Sequence, residues 1–236
     1  MIQLEIDYTT LDAARIVTTV ERLSSRIGER FPDSGLFKVS TQLLTVAQQA
    51  QAEADEILRP ILWVRVATAL LVVGLAVLVI LSLLFVEAPS GRVNLVDYLQ
   101  AVESLINDAI FVGAAIFFLA QRERQIRQGQ ALKALHQLRS LAHIIDMHQL
   151  TKDPERLRPS ALVTPSSYRP ELTPFQLGRY LDYCSEMLSL IGKIAALYVQ
   201  ELDDSVVLTA VDEIESLTTG LSRKIWQKLM VVQAEM

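Results

Sequence analysis

Glu103, Asn107 and Asp108 stand at the entrance to an apolar stretch, Ala109 to Ala120, that ends just before a cluster of arginines. Counting about twenty residues back from Arg122 puts all three within the depth of a hydrocarbon layer, with Asp108 near its middle. At about 100° per residue they share, with Ser104, one arc of roughly 140° on a helix. Ala109 and Gly113 fall outside that arc and would admit a neighbouring helix. Carboxylates at this depth are costly unless they face protein or water. Converging arcs in an oligomer would line a cation pathway. Two plainer arrangements use the same residues: polar contacts buried between subunits, or an amphipathic segment, Leu95 to Asn107, on the outer surface with a shorter or tilted span.

A second constellation lies further along. All three histidines, His136, His143 and His148, fall within thirteen residues, with Arg139 and Asp146 between them. On a straight helix His136 and His143 are about 10 Å apart along the axis, too far to share a metal. Arg139, His143 and Asp146 are spaced by four and three, the spacing of a charge-assisted network that could report pH. A third group, Arg223, Lys224, Trp226 and Lys228, combines basic and aromatic side chains. It reads either as a solvated face or as a contact for anionic lipid, phosphate or nucleic acid. No phosphate-cradling glycine loop, nucleophile elbow, HExxH or CxxC is present. The expectation is therefore a chain that is not an enzyme, with no catalytic residue, no cofactor, no resident metal and no nucleic-acid partner.

The elements that hold these groups follow from hydropathy. Val66 to Val86 is a run of twenty-one residues without a charge. At about 1.5 Å per residue it matches a hydrocarbon core of about 30 Å. With the second stretch it predicts two spans joined by a short outer loop, Glu87 to Asn94. The first run starts after sixty residues rich in acidic groups, so it is not a removable signal. Residues 121–170 hold nine basic and four acidic side chains, whereas 171–236 hold five and ten. Arg122, Arg124 and Arg127 follow the second span; Arg59 and Arg65 precede the first. Positive residues stay on the cytoplasmic side, which predicts both termini inside a bacterial-type plasma membrane. The three arginines would also attract anionic headgroups, at about 1 kcal/mol each near the surface. Cys184 is the single cysteine, which excludes an intrachain disulfide and fits a reducing compartment.

Outside the spans the chain reads as helix. Thr9 and Thr10 are expected to cap a helix with Ile16, Val20, Leu23 and Ile27 on one face. Pro32-Asp33-Ser34-Gly35 turns the chain into a second helix with Leu36, Val39, Leu43, Val46 and Ala50. Pro60 marks the entry to the membrane. After the second span Leu135, Leu138, Ala142 and Ile145 continue one long helix to about Thr151, and a proline-rich loop runs to Thr173. Thr173, Pro174 and Gln176 form a capping-box start. Behind it lies an unbroken four–three seam: Leu177, Leu181, Cys184, Leu188, Ile191, Ala195, Tyr198 and Leu202. Asp203 and Asp204 favour the start of a last helix at Ser205. Only Met1 to Tyr8 alternates like a strand, an arm suited to pairing with a partner.

These readings predict an all-α protein. Residues 1–60 form an arm and cytoplasmic hairpin, 61–121 two transmembrane helices, and 122–236 a stalk, loop and C-terminal hairpin. N- and C-terminal helices together make one cytoplasmic bundle. The layout resembles the SLATT-type two-transmembrane proteins, proposed to make membrane pores in bacterial conflict systems; the resemblance is one of topology and carries no site residues. The expected function is a membrane scaffold or signal-transducing module, acting as a homo-oligomer through its bundle and open to a cytoplasmic protein partner. An oligomeric channel is the alternative.

Overall fold

The computed structural model describes residues 9–57, 62–85, 95–154 and 172–234. These are helical, with no strand among them: α1 Ala13–Arg30, α2 Gly35–Ile57, α3 Leu62–Phe85, α4 Leu95–Leu150, α5 Pro174–Glu201 and α6 Ser205–Ala234. The alternating Met1–Tyr8 segment, Pro60, the expected outer loop and most of the proline-rich loop lie outside the described residues. The chain divides into two compact units, one made of Met1–Leu58 with Gln128–Met236, the other of Arg59–Arg127.

In the first unit α5 is the central helix, packed against α1, α2 and α6. All eight seam residues from Leu177 to Leu202 are buried. A second stripe, Tyr180, Tyr183, Met187, Leu190, Ile194 and Leu197, is buried too, so α5 is covered on more than one side. The apolar stripes of α1 and α2 face the same core, joined by Ala131, Leu135, Leu138, Ala142 and Ile145 from α4. On α6, Val207, Val211, Ile214, Leu221, Ile225 and Leu229 are buried, while Leu217 is only partly so and Thr218 takes the inner position beside it.

Polar contacts fix how these helices run. Arg26 pairs with Glu186 at 2.6 Å, and the Leu11 backbone N–H donates to Gln200 Oε1 at 2.7 Å. The sequence numbers rise along α1 as they fall along α5, so the two are antiparallel. Gln128 Nε2 donates to Asp204 Oδ1 at 3.2 Å, Arg139 pairs with Glu213 at 2.9 Å, and Lys228 Nζ donates to the Gln149 carbonyl at 2.7 Å. Here both numbers rise together: α4 and α6 lie parallel.

The helix ends have local causes. Asp12, rather than Thr9 or Thr10, caps α1; its Oδ1 accepts the Arg15 N–H at 3.1 Å. An ionised carboxylate is the stronger acceptor and complements the helix dipole. Between α1 and α2, Asp33 has a φ of 59°, a left-handed position that Asp tolerates better than most residues. Ser34 Oγ then accepts from Phe37 N. Thr173 and Gln176 bond reciprocally at 3.2 and 3.0 Å, completing the capping box of α5.

The second unit has a different surface. α3 contains one charged residue, Arg65, in its 24 residues. Among the described residues one helix segment, Val102–Leu150 of α4, is long and apolar enough to cross a membrane by length and composition, and none of its apolar window is buried. Trp63, Val66, Leu70, Val73 and Ile80 of α3 and Ile106, Ile110, Phe111, Phe117 and Phe118 of α4 are all exposed. In the first unit, residues of these types form the core.

Candidate functional site

The polar arc of α4 is the candidate site. α4 is one continuous helix from Leu95 to Leu150, so Leu95 to Asn107 belongs to the helix that carries Ala109 to Ala120. Along it Glu103, Ser104 and Asn107 are exposed, while Asp108 is half-buried. Asp108 shares that partial cover with Val112, Ala115 and Leu119. At about 100° per residue those four lie together, roughly 100° round the helix from Asn107. The arc is therefore split. Glu103 and Asn107 open outward, and Asp108 sits at the edge of a face that the chain covers in part. Among the described residues no hydrogen bond or ion pair holds any of the three.

Periodicity by carboxylates alone missed two aromatic residues. Phe111 and Phe118 lie at almost the same azimuth as Ser104 and Asn107, and they are 75% and 71% exposed. The outward face thus changes along its length, from acid and amide at one end to two phenylalanines toward the arginines. The spacing of Ser104, Asn107, Phe111, Ala114, Phe118 and Gln121, three then four throughout, held that signal.

The arginines do not make a one-sided patch. Their azimuths surround the helix: Arg124 and Arg127 are about 60° apart, and Arg122 is about 140° from Arg127. Arg127 pairs with Glu123 at 2.6 Å, both side chains about 20% exposed, and Arg122 reaches Gln125 at 3.5 Å. The three side chains are thus spread round the helix, and Arg127 is already paired within it.

Arg139, His143 and Asp146 are not joined to each other. Arg139 reaches across to Glu213 of α6, Asp146 accepts from Gln149 Nε2 at 2.6 Å, and His143 is exposed with neither as partner. Spacing makes them neighbours on the helix, but the long arginine side chain finds its carboxylate on another helix. Of the histidines His148 is the one held by tertiary structure. It packs so closely on Gly35 that a Cβ there would collide with the imidazole. Burial, then the charge of Lys152, lowers its pKa. Among the described residues no group of three or more His, Cys, Asp or Glu side chains is arranged to hold a metal ion.

Lys228 also leaves its sequence neighbours. It points to the core side of α6, where its Nζ donates to the carbonyls of Gln149 and Lys152 at 2.7 and 3.2 Å. A cation there adds a second donor to the Gln149 carbonyl, which also accepts the Lys152 N–H at 3.1 Å, and opposes the negative end of the α4 dipole. Burial lowers the ammonium's pKa, against the attraction of Asp153 and Asp146. Trp226, Arg223 and Lys224 remain exposed, so the basic group is divided between a helix cap and a solvated face. Cys184 is fully buried, and burial pushes its thiol up to about 12, which makes it inert.

Comparison with protein-family models, with curated proteins and with solved structures returned no match. The functional reading therefore rests on the molecule's own geometry.

Proposed function

We propose that the chain is a two-pass membrane module, a scaffold or signal transducer, whose α4 carries a bilayer span and a core-facing segment of the helical bundle in one uninterrupted helix. One observation supports this above the others. The apolar window of α4 is unburied, whereas Ala131 to Ile145 of the same helix form part of the core. An apolar surface of that extent is far larger than a soluble monomer exposes and calls for lipid or protein cover. α3, with Arg65 its only charge, is the partner span. In this reading α4, helical from Leu95 to Leu150, is the element through which the span and the bundle communicate. In this reading the termini and bundle are cytoplasmic, the arginine collar marks the inner face of a bacterial-type plasma membrane, and the assembly is a homo-oligomer that recruits a cytoplasmic protein.

Topology decides the first part. With Cys184 replaced by Ala, single cysteines at Ser90 and Gln233 are probed with a membrane-impermeant maleimide. Ser90→Cys labels on intact cells; Gln233→Cys labels only after lysis. Labelling of both from outside rules out the arrangement.

An ion-conducting oligomer is the second reading, favoured by the unpaired Glu103 and Asn107 on an apolar helix. Carboxylates at a pore mouth concentrate cations. In reconstituted vesicles a conducting parent should lose cation preference on Glu103→Gln, with a smaller effect from the half-covered Asp108→Asn. A folded oligomer that passes no ions over a range of pH and voltage leaves the scaffold reading in place.

A further inference from the structure

The open face of α4 raises a question that the bundle does not answer: what pairs its polar groups at bilayer depth. Lipid cannot, because the hydrocarbon core offers no donor or acceptor. α3 offers little, since its sequence has no polar residue from Ala69 to Leu81 and a single hydroxyl, Ser82, just beyond. The covered side of α4, marked by Asp108, Val112, Ala115 and Leu119, is turned away from Asn107. What remains is a face with heptad-like spacing, Ser104, Asn107, Phe111, Ala114, Phe118 and Gln121, and every one of these residues is exposed. A seam of this spacing keeps contact with a second helix over many turns. Asn107 is self-complementary: an amide both donates and accepts, so it can bond its own equivalent across a symmetry axis. Ala114, with its small side chain, lets two such helices come close between the bulkier phenylalanine layers.

We propose that copies of this chain associate within the membrane through that α4 face. Asn107 supplies the polar layer, and Phe111 and Phe118 supply apolar layers toward the arginine collar. The proposal rests on the reading of α4 as a membrane span. It assigns the intramembrane contact to a second copy of the chain, and it gives the phenylalanines a task that a lipid-facing position would not. If water occupies the polar end, the two phenylalanine layers close it below by excluding water, which makes them the constriction.

Single cysteines scanned from Val102 to Phe118, in the full-length Cys184→Ala chain and in native membranes, test this by oxidative cross-linking. Disulfide-linked dimers should peak at residues 104, 107, 111, 114 and 118 and be weak at 102, 105, 109, 112 and 116. Asn107→Ala should reduce cross-linking through a cysteine at 118 by about threefold or more, the scale of an interhelical hydrogen bond in lipid. A flat profile, no dimers, or a maximum at 102 and 109 would overturn the proposal. Parallel exposure to an impermeant maleimide separates the two levels of failure. Protected cysteines without dimers leave the span standing and reject the contact, whereas uniform aqueous labelling rejects the span and the contact with it.

Discussion

Replacing Leu188 by Asp should unfold the helical bundle. Leu188 is fully buried at the middle of α5, the helix that touches α1, α2 and α6. Removing a core leucine side chain costs about 2–5 kcal/mol. A carboxylate left without a partner adds a further penalty of several kcal/mol, unless it takes up a proton or the packing opens. The sum approaches the whole stability of a typical domain, about 5–15 kcal/mol. The apolar helices can remain helical in detergent, so circular dichroism alone would understate the damage. Cys184 provides a sharper reading because it lies one turn before Leu188, fully buried, and is the only thiol in the chain. In the parent it should react slowly with a thiol reagent; in Leu188→Asp it should react like a free cysteine. Ser189→Asp, at the exposed neighbouring position, should change melting by no more than about 0.5 kcal/mol. Parent-like thiol protection in Leu188→Asp would mean that α5 does not organise the core.

Burial in the bundle was largely written in spacing. The four–three seam of α5, the shorter runs on α1 and α2, and Leu135 to Ile145 on α4 are all inside. A second run on α5 was equally available, Tyr180 to Leu197 at three and four. Two interleaved seams on one helix indicate a central position, and reading only the first understated how enclosed α5 is. What spacing could not supply was the choice of partner for a long polar side chain. Arg139, expected to bond along α4, and Lys228, grouped by sequence with Arg223, Lys224 and Trp226, both bond to another helix, because tertiary packing brings Glu213 and the carbonyls at the end of α4 within reach. The α4 arc shows the same limit. Glu103, Ser104, Asn107 and Asp108 share an arc by angle alone, but partial cover falls on Asp108 and not on Asn107. Which side of an exposed helix is covered depends on its neighbours, and a one-dimensional pattern holds no neighbours.

Asp204→Ala should lower the stability of the bundle by about 2 kcal/mol and weaken the joint between α4 and the α5–α6 turn. The Asp204 carboxylate is buried, and its Oδ1 accepts from the backbone N–H groups of Val206 and Val207 at 3.0 and 3.2 Å. It is thus the cap of α6, a role worth about 0.5–2 kcal/mol. The same oxygen accepts from Gln128 Nε2 at 3.2 Å, and Gln128 opens the part of α4 that belongs to the bundle. Loss of the carboxylate strands both sets of donors, so the cost should lie at the upper end of the capping range. For a structure of this size that lowers the melting temperature by roughly 4–8 °C. Asp204→Asn keeps an acceptor oxygen and should recover most of the loss. Gln128→Ala should cost less than Asp204→Ala, and the double mutant less than the sum, since the two side chains share one bond. Strict additivity would show that the cap and the α4 anchor act separately. A coupled joint would mean that a change in the α5–α6 hairpin reaches α4 through this one carboxylate.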